Sequence, residues 1–477
     1  MEDTMGSAVN LALKMGCEYA EARVQRDFGE TAIMKNGNLE VVAYVRQKGL
    51  GIRVIKNGAL GFASTNRLDK REVTRLVQSA VSMASASVST LRKPVSLAPS
   101  SAEESDWTVR EKTRISSVSL EQRLEVLQDV EKALTEPKVQ VRLPGRMLVL
   151  TNWDSEKTYL NSEGSRIHSL VPRVSFYYML TALEGPGETA QRFNQFGGSG
   201  GWELVKAWNL PSLASEEATV LGRVLREAKP PPRDEIDIVL GSEVVGIICH
   251  ESCGHPSEAD RVLGREAAQA GESFMKPEML GARLGSEVVT IVDDPTLPGS
   301  YGYYLYDDEG VRAGRRELIR KGLLNTFLHN RETAAALGVE SNGAARAMAY
   351  NREPIIRMGN TYMLPGDHSL EELIEDISNG VYIKSFMEWN IDDRRFNERY
   401  VGLEAYAIRG GELGEMVRNP IVEMTTTGLF SSVDAASKNL DFNAALCGKG
   451  DPEQDAPVWT GGPEIRLRNV KLGGLPS

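Results

Sequence analysis

His250-Glu251-Ser252-Cys253-Gly254-His255 spells H-E-x-x-x-H and sets two imidazoles and a carboxylate within six residues. Imidazole is the commonest metal ligand among side chains, and a Glu directly after the first His can take a proton from zinc-bound water instead of ligating the metal. The pattern carries one residue more than H-E-x-x-H. On a regular α-helix, histidines four apart lie about 40° from each other around the axis, and histidines five apart about 140°. For both to reach one metal, the helix must absorb the extra residue as a π-type bulge or stop before the second His. Gly254 has the backbone freedom for either, and Pro256 disfavours helical geometry at His255 and ends the ladder of backbone hydrogen bonds. A helix that starts near Glu243 and bulges or breaks near Gly254 is expected. The motif alone leaves a second reading open, because His250 follows the apolar run Val244-Val245-Gly246-Ile247-Ile248-Cys249 and would also serve as a core histidine.

Working outward, 477 residues are too many for one hydrophobic core and predict two or three domains. Lys and Arg number 55 against 66 Asp and Glu, a net charge of −11. With no basic runs, that balance argues against a sequence-independent grip on nucleic acid or on anionic membrane. The opening Met1-Glu2-Asp3-Thr4-Met5-Gly6 lacks the pattern of a secretory leader, and no apolar stretch approaches the roughly 20 residues of a membrane span. A cytoplasmic protein is expected. Four cysteines, at 17, 249, 253 and 447, are too scattered for a disulfide framework; in a reducing compartment each is a small hydrophobe or a metal ligand.

Two stretches read as linkers. Residues 91–101 are rich in Ser and Pro, and residues 229–234 (Lys-Pro-Pro-Pro-Arg-Asp) cannot continue a helix. They divide the chain into units at 1–92, 105–228 and 234–477. The first reads as a helix at 7–15, a meander of strands at 20–24, 31–34, 39–46 and 51–55 with turns at Asn36-Gly37 and Asn57-Gly58, and a helix at 69–83. The second repeats the mixture, with a helix at 120–134 introduced by Ser119, strands at 139–150 and 167–183, and a helix at 215–228. Its cluster Gly197-Gly198-Ser199-Gly200-Gly201 lacks the lysine-bearing helix start of a phosphate loop and reads as a flexible surface loop. In the third unit, apolar runs at 288–293, 323–328, 355–358, 380–387, 401–409 and 465–472 favour an antiparallel, barrel-like sheet behind the motif helix. The fold class expected is α+β: N-terminal and middle sheets with helices, and a C-terminal β-rich domain carrying H-E-x-x-x-H.

His250-Glu251-x-x-Gly254-His255-x-x-Glu258-x-Asp260 resembles the extended signature of the TldD/PmbA family of metallopeptidases. The likeness runs through Gly49-Leu50-Gly51-Ile52-Arg53-Val54, Tyr304-x-x-Asp307-Asp308-Glu309-Gly310, Arg357-Met358-Gly359-Asn360-Thr361-Tyr362-Met363 and Cys447-Gly448-Lys449. The resemblance implies the zinc-bearing, TldD-like branch, since PmbA-like members lack the motif and serve as partner subunits. It also implies a downstream cysteine as third ligand, and Cys447 holds the matching position. A His2Cys set leaves the fourth position of a catalytic zinc open. Cys253, inside the motif, is the rival ligand.

The activity implied is hydrolysis of peptide bonds in unfolded or short peptides, with one Zn2+ per chain on His250, His255 and Cys447, and Glu251 as general base. His329, Arg346 and Tyr350 suit an oxyanion stabiliser by chemistry, with structural or solvent-facing roles as the alternative. Glu258 and Asp260 suit hydrogen bonds that orient the histidines, or a solvated loop. Family members act as dimers enclosing a cavity, which implies a homodimer or a heterodimer with a PmbA-like chain. The competing expectation is a non-catalytic peptide-binding or scaffold subunit with a structural zinc, which would need a fourth protein ligand, Cys253 or Asp260. The chain departs from the family at 385–395 (Ser-Phe-Met-Glu-Trp-Asn-Ile-Asp-Asp-Arg-Arg), where glycines are usual, and after Gly448-Lys449. Those departures bear on substrate preference.

Overall fold

The computed structural model describes residues 2–473 apart from Pro186, Arg233, Ala267 and Gln269. Met1, Arg233 of the second linker and residues 474–477 of the third unit thus lie outside the described residues. The fold is α+β, as the sequence implies. Asn36, Gly37, Asn57 and Gly58 all take positive φ, between 49° and 79°, the backbone of a tight hairpin turn. They join β1 (Tyr19–Lys35), β2 (Asn38–Lys56) and β3 (Ala59–Thr65). The four short strands expected here are two long ones. Gln25 to Thr31 carries little apolar character, but it is laddered to β2 on one side and to a strand of the second unit on the other, and neighbours override weak local preference. Helix Glu2–Lys14 and helix Lys70–Ser87, the latter capped by Asp69 accepting from the Glu72 N–H at 3.0 Å, cover the sheet with Met5, Val9, Leu76 and Val77 against Leu50, Ile52 and Val54.

The second unit supplies β4 (Glu104–Thr108), β5 (Arg142–Asn161), β6 (Arg166–Glu184) and β7 (Glu188–Ser199). Helix Leu120–Thr135 begins at Ser119 with a full capping box to Gln122, and helix Leu210–Glu227 packs beside it. β5 runs antiparallel to β1 from Glu21 opposite Asn161 to Lys35 opposite Met147. The sheets of the first two units are therefore joined into one of seven strands, in the order β3-β2-β1-β5-β6-β4 with β7 also on β6. The glycine cluster is no flexible loop: Gly197, Gly198, Gly200 and Gly201 are buried at the end of β7. A Cβ on Gly197 would lie 2.9 Å from the Tyr301 ring, and one on Gly198 2.8 Å from the Gly299 carbonyl, so the residues are small because the third unit lies against them.

The third unit folds into a nine-stranded, a six-stranded and a two-stranded sheet. Pairing is mostly antiparallel, with parallel ladders between Glu235–Leu240 and Asn379–Ile383 and between Asn360–Met363 and Gln454–Gly462. The motif helix, Ser242–Ile248, leaves the end of the Glu235–Leu240 strand and lies on the Gln454–Gly462 strand so closely that a Cβ on Gly246 would come 2.9 Å from the Gly461 nitrogen. Val244, Val245, Ile248 and Cys253 join Ile238, Leu240, Val458 and Ile465 in one core.

Charges lock the first sheet to the third unit. Arg53 on β2 bonds Glu21 of β1 at 2.8 Å and Glu309 of the third unit at 2.7 Å, with all three side chains at most 5 % exposed. Removing one partner of such a buried group costs about 3–5 kcal/mol, because the other charges stay buried without compensation. Arg53→Met is expected to lower the urea midpoint accordingly, while Arg26→Met, whose pair with Glu156 is exposed, should stay within about 0.5 kcal/mol. Equal midpoints for the two variants would show that the junction does not depend on this charge.

Candidate metal centre

The extra residue between the histidines is absorbed as a π-turn. Ser242–Ile248 is α-helical, Cys249–Gly254 is π-helical and His255–Ser257 is a single 3₁₀ turn. The His255 N–H donates to the His250 carbonyl, the i→i+5 bond that defines a π-turn and sets the two rings one wide turn apart. Gly254 sits under Met358, where a Cβ would come within 2.0 Å of the sulfur. Ser252, on the turn, donates to Glu398, which also receives the Tyr400 hydroxyl at 2.6 Å.

The π-turn brings the His250 and His255 ring centroids to 4.8 Å at 79°. Cys447, on the strand Asp441–Lys449, reaches both: its sulfur is 3.3 Å from His250 Nε2 and 3.3 Å from His255 Nε2. The three are buried and form the one cluster of potential metal ligands among the described residues, their donor atoms all within 4.8 Å of one another. Zinc bonds of about 2.1 Å to nitrogen and 2.3 Å to sulfur at a tetrahedral angle separate such donors by about 3.6 Å, so this donor set fits a zinc ion in kind and in spacing. Burial pushes the His250 imidazole down, towards the neutral form a metal requires. Burial opposes the Cys447 thiolate, yet His255 and Arg357 together bring that thiol down to about 7. Cys253, fully buried and with its thiol pushed up by burial, is not in the cluster.

Around the three candidate ligands lie paired charges. Glu258 accepts from His255 Nδ1 at 3.0 Å, from Arg261 at 2.6 Å and lies 3.2 Å from Lys449. Burial works against its charge, but Lys449, His255 and Arg261 hold it well below the usual carboxylate range. Asp260 instead takes Lys449 at 2.8 Å. Glu251 accepts from Arg395; burial opposes its charge, and His255 and Arg395 nevertheless hold it below its ordinary value. Of the candidate oxyanion groups, His329 bonds Thr333 at 3.2 Å, Tyr350 lies against Gly49 of β2, and Arg346 donates to the Met358 and Pro457 carbonyls.

Sequence reading missed Arg395 and Arg357. Arg357 donates to the carbonyl of Cys447 and so fixes the strand that presents the thiol. Arg395 closes the stretch where the chain departs from the family, and it takes φ of 58°, a left-handed position where glycine would be the easy choice. Its turn is held by Asp392, which accepts from the Phe396 N–H at 2.8 Å and Asn397 Nδ2 at 2.6 Å.

The three domains of the PmbA/TldA metallopeptidases match this chain in order: domain 1 at residues 20–84, the central domain at 113–228 and the C-terminal domain at 233–474. A protein of Methanothermobacter thermautotrophicus named metalloprotease is 34% identical over 472 residues, covering 99% of both chains. A zinc metalloprotease TldD homolog of Saccharolobus solfataricus is 34% identical over 261 residues, 54% of this chain and 56% of that one. In fold, the crystal structure of TldE from Thermococcus kodakarensis superposes with a TM-score of 0.75 at 19% identity, covering 99% of this chain and 100% of the other.

The close seat of Gly254 on Met358 generates a test. Gly254→Ala should destabilise the protein by about 1–3 kcal/mol, the usual cost of overpacking, and Gly254→Ala with Met358→Ala should recover part of that loss. Additive denaturation midpoints would mean that the sulfur does not set this constraint.

Proposed function

The chain belongs to the PmbA/TldD family of metallopeptidases, and on that premise we propose that it is a zinc-dependent peptidase acting on unfolded or short peptides, with His250, His255 and Cys447 holding one zinc ion. The observation that carries this reading is the meeting of two imidazoles and a thiol on one point beside an ionised glutamate. Bound there, zinc would supply a Lewis acid for the scissile carbonyl and for water.

The chain's own residues divide the remaining work. Glu258 accepts the Nδ1 proton of His255, which fixes the tautomer and turns Nε2 towards Cys447. Arg261 and Lys449 keep Glu258 charged for that task. Glu251, held ionised by its neighbours, takes the proton of the attacking water on a carboxylate oxygen and returns it to the departing amine. Arg395 steadies the carboxylate before substrate arrives, and the pair must loosen when Glu251 becomes neutral.

The alternative, a scaffold subunit with a structural zinc, calls for four protein ligands. Asp260 is engaged by Lys449, and Cys253 stands outside the ligand cluster, which supports the catalytic reading. A cytoplasmic setting, and a homodimer or a heterodimer with a PmbA-like chain around an enclosed cavity, belong to the same proposal.

Three measurements test it. Glu251→Gln should retain zinc while turnover of an unfolded polypeptide falls by about 10²- to 10⁴-fold, the usual worth of a general base; undiminished turnover by the zinc-loaded variant would assign the base elsewhere. Purified protein should carry about one zinc per chain. Under competition with a chelator, Cys447→Ser should give up its zinc far sooner than Cys253→Ser, as a serine hydroxyl is a poor ligand at neutral pH. The reverse order would place the third ligand inside the motif turn.

A further inference from the structure

A cavity of about 330 Å³ lies between the first sheet and the third unit, walled by β1, β5 and β6 on one side and by Arg346, Arg357 and the hairpin of strands Asp441–Lys449 and Gln454–Gly462 on the other. The volume is that of a small-ligand pocket. It is separate from the metal centre. Leu446, half exposed, lines the cavity, while its neighbour Cys447 meets the histidines; successive side chains of a strand face opposite ways, so the hairpin stands between the two spaces.

Three arginines line this cavity without an ion-pair partner among the described residues. Arg173, Arg346 and Arg357 are 7 %, 9 % and 1 % exposed, and among the described residues none has a carboxylate oxygen within 4.0 Å. Of the four aspartates that line the cavity, Asp308 holds Lys157 and Arg23, Asp27 accepts from Gln25, Gln47 and Ser155, Asp307 accepts from the backbone N–H groups of Glu309, Val311 and Ala345, and Asp455 is exposed. The arginines spend part of their donors on backbone carbonyls. Arg173 reaches those of Tyr301 and Tyr303 at 2.9 and 2.8 Å, Arg346 those of Met358 and Pro457 at 2.6 and 2.9 Å, and Arg357 those of Cys447 and Gln454. The buried Nε of Arg357 has no partner at all, nor has that of Arg23 on the opposite wall. Burial, with the charge of Arg346 beside it, brings Arg173 down to about 9, and the more distant Asp27 and Asp308 offset only part of that. Buried charge is normally paired, because an isolated ion in a low-dielectric interior is costly.

We propose that this cavity is a binding site for a carboxylate-bearing ligand, the free C-terminus of a short peptide, with Arg173, Arg346 and Arg357 receiving the carboxylate and Trp107, Trp153 and Tyr304 walling its last apolar side chain. Guanidinium forks suit a planar carboxylate, and the aromatic wall favours a peptide end over a bare inorganic anion, which shares the charge but fills none of the apolar space. The guanidinium of Arg357 that would meet the carboxylate also donates to the carbonyl of Cys447.

Isothermal titration of the zinc-loaded full chain with N-acetyl-Ala-Phe as free acid, with its C-terminal amide and with inorganic phosphate tests the site. The acid is expected to bind, with the amide and phosphate each at least about tenfold weaker, the equivalent of about 1.4 kcal/mol. Arg173→Met and Arg346→Met should each weaken the acid by a similar factor. His255→Ala should leave its binding unchanged, which separates this cavity from carboxylate capture by the zinc. Equal affinity of acid and amide in the unaltered protein would overturn the proposal even if an arginine variant failed to fold, as would absence of acid binding. Phosphate binding as tight as the peptide acid would overturn the peptide assignment, and loss of binding in His255→Ala would move the ligand to the metal centre. Hydrolysis is not read, so the outcome is independent of whether the chain proves to be a peptidase.

Discussion

One backbone hydrogen bond, from the His255 N–H to the His250 carbonyl, sets the geometry on which the centre depends. Two histidines five residues apart diverge on an α-helix, and only the wide turn lets both face Cys447. A π-turn is poorly favoured in isolation, and here its surroundings hold it. Gly246 lets the helix sit on the Gln454–Gly462 strand, Gly254 admits Met358, and Ser252 is tied to Glu398 on the far side. The strand beneath the helix pairs in turn with the one carrying Cys447, so the same contact that supports the π-turn fixes the distance to the third donor.

Charge is organised around that turn in matched sets. Glu258 serves His255, Arg261 and Lys449, while Asp260 shares the lysine. All but Asp260, whose side chain is 16% exposed, are buried, and an unmatched member would be costly in such a setting. The pairing explains why the stretch from His250 to Arg261 is dense in ionisable residues yet lies in the core: each charge has its partner within the turn, on the Cys447 strand, or on the Asp392–Phe396 turn that brings Arg395 to Glu251.

Much of this was legible in the sequence. The five-residue spacing with Gly254 and Pro256 pointed to a bulge or a break near the second histidine, and Asn36-Gly37, Asn57-Gly58 and Ser119 marked hairpins and a helix start from local chemistry alone. Cys447 was reachable as a candidate only through resemblance, because nothing local tells a cysteine that meets two histidines from a packed one. Arg395 was hidden for a related reason. Its departure from a glycine-rich pattern was visible, but its contact with Glu251 lies 144 residues away in sequence. The glycine cluster at the end of β7 misled because flexibility and close packing leave the same mark in a sequence, and only the Tyr301 ring beside Gly197 tells them apart. Long strands were read as fragments where polar residues are held by neighbours on both edges.

The union of β1 with β5 has a consequence for how the chain comes to be folded. β1 pairs on one side with β2, its immediate successor, but its other edge waits for a strand that begins at Arg142. Until that strand has been made, a newborn chain carries a long hairpin with an open row of backbone donors and acceptors, a template for unwanted pairing. Closing so distant a ladder is slow, since the loop must be ordered before the contacts reward it. The hazard is blunted by composition: the Gln25–Glu30 segment of that edge includes Arg26, Asp27 and Glu30, and charged edges discourage association with other chains. The polar midsection that hid the strand from sequence reading thus doubles as protection during synthesis.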